Sequence, residues 1–262
     1  MANILFFDSG FGALSIIKDA LPLRQKHSLH LCSDNGFFPY GEKPEESLPE
    51  RVYRVLQSLE TELDFDVLVI ACNTASTVSL PLLREKLKQP VIGVVPAIKP
   101  AAAATESKHI GLLATPGTVS RAYTKQLIED FAANCRVELL GSSELVQIAE
   151  DKLRGRTVNR ERLREILSEV TDWQKQGMDQ LVLGCTHFPL LEDELSELLP
   201  GLSLVDSGQA IVRQLERVLK DMPEKSDNQE NTLCFTAPCT ETVSQAIQKA
   251  FGFERVATLK TI

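Results

Sequence analysis

Short runs of consecutive apolar residues alternate along the chain with longer amphipathic segments, and this alternation constrains the fold more than any other feature. Runs such as NILFF, VLVI and LVL end in small, polar or glycine residues, and segments with helical periodicity follow them. Strands that are apolar on both faces are typical of parallel sheets covered by helices on both sides. The sequence therefore predicts an α/β fold with mostly parallel sheets flanked by helices.

The alternation assigns most of the chain to strands and helices. The predicted strands are 3–7, 29–32, 67–71, 91–94, 110–114, 137–140, 181–183, 202–205 and 232–235. The predicted helices are 13–20, 44–62, 80–88, 121–133, 143–152, 160–176, 190–199, 209–220 and 241–251. We expect 96–104 to cross between two units and the polar stretch 221–231 to form a surface loop.

Two strand ends recur along the chain at similar spacing. ILFFDSG has a counterpart in IGLLATPGT, where Ala114 matches Asp8 at an offset of 114 − 8 = 106 residues. IACNT has a counterpart in LGCTH, where Cys185 matches Cys72 at an offset of 185 − 72 = 113 residues. The repeat predicts two related α/β units with one cysteine loop each; the alternative is a chance similarity between short apolar runs.

The composition excludes several classes of partner. The formal net charge of −8 is not interrupted by a basic cluster, so nucleic acid and anionic membranes are not expected partners. We find no signal peptide and no window of about 18 apolar residues, and therefore expect a cytoplasmic protein with reduced thiols. None of the six cysteines forms a CxxC pair, so no disulfide framework is expected.

Residues with chemically useful side chains collect where the predicted strands end. Ligands of open parallel sheets bind beyond the carboxyl ends of the strands, and clefts between two domains are common binding sites. The polar and thiol side chains at these ends are Asp8, Ser9, Asp34, Cys72, Asn73, Thr74, Thr115, Thr118, Cys185, Thr186, His187, Asp206 and Ser207.

The two matched cysteines suggest a specific reaction. A cysteine after an apolar strand is often only a small packing group, but Cys72 and Cys185 each precede two polar residues at positions that the repeat makes equivalent. Inverting a carbon that bears hydrogen requires a base on one face and an acid on the other, and two thiols could exchange these roles. His187 could be a partner for Cys185, or an ordinary half-buried histidine.

Other groups leave alternatives open. A zinc site built from Cys72, Cys185 and His187 is conceivable, but the set lacks a second histidine and a paired spacing, so no metal is predicted. DSGFG and PYG place polar groups on turns, and each is also compatible with an ordinary capped turn or loop. No motif for a nucleotide or a common hydrolase is found, so no cofactor is predicted.

Four segments carry a resemblance to a known family. DSGFGALSI, PYGEK, VIACNTAS and LGCTHFPLL, in this order, closely resemble bacterial glutamate racemases of the cofactor-independent aspartate/glutamate racemase superfamily. The resemblance covers nearly the whole chain. It implies two similar α/β domains with the active site in the interdomain cleft: residues 1–96 plus 208–262 as the first domain, completed by the C-terminal segment, and 97–207 as the second.

The resemblance also implies roles for individual residues. Cys72 and Cys185 are similar to the two catalytic acid/bases, which would take D- and L-substrate respectively. Glu150, in QIAED, falls where the family has an auxiliary acidic residue, and with Asp8 and His187 it completes the expected catalytic set. The expected substrate-binding residues are Asp8, Ser9, Pro39, Tyr40, Gly41, Asn73, Thr74, Thr118, Thr186 and His187.

We therefore predict a cofactor-independent enzyme that racemizes L-glutamate to D-glutamate for peptidoglycan precursors, and a homodimer like its relatives. One alternative is a relative that acts on another substrate, such as aspartate. Another is an amino-acid binding or regulatory module without turnover. The presence of both cysteines argues against the last, because binding alone needs neither thiol.

Overall fold

The computed structural model describes residues 1–222 and 230–259, which form two α/β units. The first unit contains Met1–Val94 and Gly208–Ile262, and the second contains Val95–Ser207. Most of the loop expected at 221–231, namely 223–229, lies outside the described residues.

The first unit is built on a six-stranded parallel sheet. Its strands are β1 (Asn3–Asp8), β2 (Ser28–Ser33), β3 (Val67–Ile70), β4 (Val91–Gly93), β9 (Thr232–Phe235) and β10 (Arg255–Thr258), in the order β10-β9-β2-β1-β3-β4. Its helices are α1 (Leu14–Ala20), α2 (Leu48–Leu59), α3 (Asn73–Lys86), α11 (Gly208–Lys220) and α12 (Glu241–Phe251). Helix α2 packs on α3, and α1 packs on α11 and α12. Every residue of β1 and β3 is buried, as expected for central strands covered on both faces.

The second unit is built on a four-stranded parallel sheet. Its strands are β5 (His109–Ala114), β6 (Arg136–Gly141), β7 (Gln180–Leu183) and β8 (Ser203–Val205), in the order β6-β5-β7-β8. Its helices are α4 (Ile98–Ala104), α5 (Pro116–Ser120), α6 (Ala122–Ala132), α7 (Glu144–Leu153), α8 (Arg160–Ile166), α9 (Ser168–Lys175) and α10 (Glu192–Leu198). Its core includes residues of α4, β5 and β7.

The two units share a strand order and a register. The order β2-β1-β3-β4 in the first corresponds to β6-β5-β7-β8 in the second. Ile4 pairs with Val67, and Ile110 pairs with Gln180, so the paired positions differ by 110 − 4 = 106 and 180 − 67 = 113 residues, the offsets of the sequence repeat. The predicted fold class of two similar α/β units with parallel sheets is confirmed.

Some predicted elements differ from the structure. The helix predicted at 80–88 begins instead at Asn73. Its first residues, NTAST, are mostly buried but mostly polar, so the apolar periodicity that predicts a helix is missing there. The single helix predicted at 160–176 is interrupted at Leu167 and forms α8 and α9. The stretch interpreted as a crossing at 96–104 contains α4, and its alanines are strong helix formers.

Strand β10 was not predicted. It lies at the edge of its sheet, and its residues alternate between half-buried and exposed, so it lacks a continuous apolar run. Among the residues that the structure describes, no helix has the length and apolar character needed to cross a membrane.

Candidate active site

Cys72 lies at the junction of β3 and α3. The strand ends at Ile70, and Cys72 keeps an extended backbone (φ −121°, ψ 115°) as the residue that precedes the first turn of α3. Its side chain is 6% exposed. Peptide N–H groups at a helix N-terminus favour a nearby anion, so this position suits a thiolate.

Asp8 and Ser9 lie beside Cys72, because β1 and β3 are neighbours in the sheet. The Ser9 backbone N–H donates to Asp8 Oδ1 at 2.6 Å, and the Ser9 hydroxyl contacts the same oxygen at 3.3 Å. Ser9 Oγ lies 3.9 Å from Cys72 Sγ. All three side chains are buried. The arrangement links a carboxylate, a hydroxyl and a thiol in one polar chain.

Tyr40 belongs to a short 3-10 helix, Tyr40–Glu42, that follows Pro39. The tyrosine is buried, and its hydroxyl donates to Asp34 Oδ2 at 2.6 Å. Burial raises the pKa of the phenol well above its ordinary value, and the charges of Asp34 and Cys72 raise it further. Tyr40 is therefore a neutral hydrogen-bond donor, while Pro39 and Gly41 beside it are half-buried.

Asn73 and Thr74 form the first turn of α3 directly after the thiol, and both are buried. Within the described part of the chain, Asn73 Oδ1 is buried without a hydrogen-bond partner. A buried amide oxygen without a partner is costly unless a ligand or water satisfies it. Asn73 Oδ1 can therefore accept a hydrogen bond from a bound ammonium group.

Cys185 lies in the second unit at the position equivalent to Cys72, two residues after the end of β7. Its Sγ is 3.8 Å from His187 Nδ1, and His187 Nε2 is 2.9 Å from Glu150 Oε1 on α7. Glu150 Oε2 is in turn 3.2 Å from Arg154 Nη2. The thiol, the imidazole and the carboxylate are all buried.

The charge of His187 follows from these neighbours. Burial by itself lowers the pKa of the imidazole, but the contacts with Cys185 and Glu150 outweigh it and hold the pKa well above its ordinary value. An imidazolium beside a thiol favours the thiolate. Each unit thus holds a buried thiol two residues after an equivalent strand, with a helix N-terminus next to Cys72 and a charged imidazole next to Cys185.

Thr186 and Thr118 lie at the same edge of the second sheet. Thr186, which lies between Cys185 and His187 in the sequence, is buried. Thr118 is fully buried in α5, and its hydroxyl lies 3.0 Å from that of Thr115, the residue that caps this helix after β5. Gly184, which precedes Cys185, packs closely against β5, because a Cβ at this position would lie 2.6 Å from Leu112 Cδ1.

Two parts of the polar network lie outside the residues that the sequence suggested. Asp34 binds Arg51 and Thr236, which are 17 and 202 residues away along the chain, and no local pattern indicates either contact. Arg154 was also missed, because the helix predicted at 143–152 ends before it, although four residues after Glu150 is a usual ion-pair spacing. No group of three or more His, Cys, Asp or Glu side chains suited to a metal ion was found in 1–222 and 230–259.

A cavity of about 440 Å³ lies elsewhere in the first unit. Its lining is mainly acidic, with Glu60, Glu62, Asp64 and Glu230 beside Arg255. Because it borders the residues where β9 and β10 begin, it opens at the amino ends of the parallel strands. It contains none of the predicted site residues, and the chemistry of the thiols places the candidate site at the opposite ends.

The chain was compared with known proteins. Residues 14–215 match the family described as Asp/Glu/Hydantoin racemase. The glutamate racemase of Pasteurella multocida is 46% identical over 98% of this chain and 96% of its own length. The crystal structure of Escherichia coli glutamate racemase, in complex with L-glutamate and the activator UDP-MurNAc-ala, is 43% identical with a TM-score of 0.92, over 100% of this chain and 99% of that one.

A more distant structure, a glutamate racemase isoform from Bacillus anthracis, is 25% identical with a TM-score of 0.81 and covers 100% of this chain and 97% of that one. These similarities span both units and both cysteine motifs, and they confirm the resemblance seen in the sequence. The chain belongs to the Asp/Glu/Hydantoin racemase family, among relatives of the bacterial glutamate racemases.

Proposed function

We propose that this chain interconverts L- and D-glutamate without a cofactor, with Cys72 and Cys185 acting as acid/bases on opposite faces of the substrate α-carbon. The observation that carries the proposal is the pair of buried thiols at register-equivalent strand ends, each with polar partners that suit a thiolate. Glutamate is the proposed substrate because it is named for the relatives that share most of the sequence.

The proposed reaction moves one proton on each face. The thiolate on one face removes the α-proton, and the electron pair is held as a carbanion delocalised into the α-carboxylate. The thiol on the other face then donates its proton to the same carbon, so that the two sulfurs end with exchanged protonation states. We propose that Cys72 is the base for D-glutamate and that Cys185 is the base for L-glutamate.

The neighbours of each thiol have proposed roles in this scheme. The N-terminus of α3 and Ser9 support the Cys72 thiolate, and Ser9 is oriented by Asp8. His187 supports the Cys185 thiolate, and Glu150 holds His187 in its charged form.

Groups that hold the substrate without moving the proton are proposed from the same two ends. Asp8 and the unpartnered oxygen of Asn73 suit the substrate ammonium. Hydroxyl and peptide N–H donors suit the two substrate carboxylates, and those that contact the α-carboxylate also stabilise the negative charge that develops there. The proposed donor residues are Ser9, Tyr40, Gly41, Thr74, Thr118, Thr186 and His187, and Pro39 shapes the turn that carries Tyr40 and Gly41. Tyr40 would use its peptide N–H, because its hydroxyl donates to Asp34.

We further propose that the two α/β units are the two domains of the enzyme, because each unit supplies one thiol. D-Glutamate is a component of peptidoglycan, so the proposed role is its supply for cell-wall precursors. A cytoplasmic location is proposed with it, since the cysteines, all within the described residues, form no disulfide, as is usual in a reducing compartment. A homodimer is proposed by similarity to the family.

Incubation with L- or D-glutamate in heavy water tests the proposed activity. NMR at Cα and a chirality assay should show racemization, with solvent deuterium in the product of opposite hand. Activity toward aspartate alone would move the assignment to another substrate. Measurable binding of an amino acid without exchange at Cα would favour a regulatory module instead.

Substitution of the thiols tests their roles. Cys72→Ala and Cys185→Ala should each abolish racemization, because each removes one of two required proton-transfer groups. Elimination from a glutamate analogue with a leaving group on Cβ needs only one base. The Cys72→Ala variant should therefore retain elimination from the L-analogue, and Cys185→Ala should retain it from the D-analogue.

The matched control is Cys135→Ala, which removes a partly buried free thiol that does not follow β3 or β7. This variant should racemize glutamate at the wild-type rate. Full racemase activity in either the Cys72 or the Cys185 variant would refute the two-base assignment.

A further inference from the structure

Asp34 is the centre of a buried polar network in the first unit. The residue follows β2, its side chain is fully buried, and its two carboxylate oxygens accept four hydrogen bonds. Tyr40 and Thr236 donate hydroxyl groups, each at 2.6 Å, and Arg51 supplies the other two donors. A buried carboxylate needs such a set, because an ionised group without partners is strongly disfavoured away from water.

Arg51 provides the one positive charge in this set of donors. It extends from α2 and contacts both oxygens of Asp34, from Nε to Oδ2 at 2.9 Å and from Nη2 to Oδ1 at 2.6 Å. Its side chain is 19% exposed, and its guanidinium also lies 5.3 Å from the centre of the Phe37 ring. The bidentate contact fixes the orientation of the carboxylate.

The orientation of Asp34 determines where Tyr40 lies. The Tyr40 hydroxyl shares Oδ2 with Arg51 Nε, so a rotated Asp34 carboxylate would lose this short contact. The Tyr40–Glu42 helix packs against α3, the helix that begins directly after Cys72. Tyr40 and Cys72 are also members of the same buried cluster. The position of the turn is thus connected to Arg51 through one carboxylate.

We propose that Arg51 is a positioning residue of the active site: through Asp34 it holds the turn of Tyr40 and Gly41 in the place where it binds a substrate carboxylate. The proposal rests on the proposed function, in which this turn contacts glutamate. Arg51 itself does not touch the substrate. Its effect should therefore be on substrate binding more than on proton transfer.

Arg51→Met tests the proposal, with Arg54→Met as the matched control. Arg54 lies on the same helix, but its side chain is 66% exposed and pairs with the exposed Glu50. In Arg51→Met we expect KM for glutamate to rise by about tenfold or more, because loss of one hydrogen bond to a charged carboxylate weakens binding by roughly 10–150-fold. We expect kcat to change by a smaller factor, since the turn holds the carboxylate in both the ground and transition states. Arg54→Met should keep both constants.

Two further variants separate positioning from folding. Arg51→Lys keeps the charge without the bidentate contact, and we expect a KM between those of the wild type and Arg51→Met. The double variant Asp34→Asn/Arg51→Met removes the buried charge along with its partner and should fold where Arg51→Met does not. It should still show the raised KM, because the amide does not fix Tyr40 in the same way.

The NMR signal of the Tyr40 ring is a readout that does not depend on activity. The chain has three tyrosines, so Tyr40→Phe assigns the signal in protein labelled with [13C]tyrosine. Arg51→Met, or the double variant, should shift this signal, and Arg54→Met should leave it unchanged. A wild-type KM together with an unshifted Tyr40 signal in the folded double variant would overturn the proposal, and so would a loss confined to kcat. A wild-type protein that does not racemize glutamate would instead contradict the proposed function, whereas the Tyr40 signal would still report the contact.

Discussion

Glu150→Gln separates the charge of Glu150 from its shape and tests the polar chain behind Cys185. The wild-type side chain lies 2.9 Å from His187 Nε2, with both side chains 2% exposed. Glutamine has nearly the same size and keeps an oxygen acceptor, but it removes the negative charge. Burial and the Cys185 contact then act on His187 without the charge of Glu150, and the pKa of the imidazole should fall relative to the wild type.

The magnitude follows from the contacts that change. A hydrogen bond to a charged group contributes about 1.5–3 kcal/mol and a neutral one about 0.5–1.5 kcal/mol, so the exchange costs about 1–2 kcal/mol. The Arg154 side chain is 36% exposed, and its ion pair with Glu150 adds only ~0–1 kcal/mol after solvent screening. If this loss of about 1–2 kcal/mol destabilises the Cys185 thiolate by the same amount, kcat/KM for racemization should fall by roughly 5–30-fold.

The sign of the pH dependence provides a second measurement. The pKa of His187 is raised in the folded state, so its stabilisation is fully present below the unfolded pKa of about 6.5 and is lost as the pH rises through the folded pKa. The difference in thermal midpoint between wild type and Glu150→Gln should therefore narrow as the solution becomes alkaline. Near neutral pH each kcal/mol of unfolding free energy corresponds to a shift of about 2–4 °C in the thermal midpoint for a chain of this size.

Elimination from chiral analogues shows which thiol is affected. L- and D-glutamate have equal free energies, so any variant must lower kcat/KM by the same factor in both directions of racemization. Elimination from the L-analogue should slow in Glu150→Gln, because Cys185 is its proposed base, while elimination from the D-analogue by Cys72 should not. Unchanged racemization, or a larger loss with the D-analogue, would refute the proposed role of Glu150.

Two further substitutions test stability. Burial lowers the pKa of His30 to about 4. The free energy of unfolding of the wild type should therefore fall by about 3 kcal/mol as the pH falls from about 6.5 to about 4. His30→Gln can still accept a hydrogen bond from the Thr232 N–H and should remove this loss in acid unfolding curves. Gly184→Ala places a Cβ 2.6 Å from Leu112 Cδ1 and 3.1 Å from Ala114 Cβ, so we expect a loss of about 1–3 kcal/mol in denaturant unfolding. An unchanged acid profile in the first case, or unchanged stability in the second, would contradict these readings.

The central strands and their thiols were predictable because their signal is local. A strand covered on both faces must be apolar throughout, and the residue after it can then be read directly from the sequence, as with VLVI before Ala71 and Cys72. The two offsets of the repeat also indicate how the strands pair, since a register shift of one residue would turn every side chain of a strand to the other face of the sheet. Their recurrence as paired positions in both sheets explains why the relation between Cys72 and Cys185 could be predicted.

Other features could not be predicted, because their causes lie far along the chain. Asp34 stands at a strand end and was expected near the site, but its partner Arg51 comes from α2 and Thr236 from the segment after β9. A surface arginine on an amphipathic helix has no local feature that separates it from its exposed neighbour Arg54. Only the folded chain shows that one of them binds a buried carboxylate.

The difference between the two thiol environments has a physical reason in the proposed reaction. Racemization is symmetric in free energy but not in geometry, because the substrate presents its side chain and its ammonium differently to the two thiols. Cys72 precedes the 14-residue helix α3, whose peptide dipoles supply fixed partial charge, whereas Cys185 precedes only a four-residue 3-10 helix. A short helix provides little of this field, and the His187 imidazolium supplies positive charge in its place. Removal of His187 by substitution with Asn should therefore impair proton removal by Cys185 more than removal by Cys72, in the same elimination assay that tests Glu150.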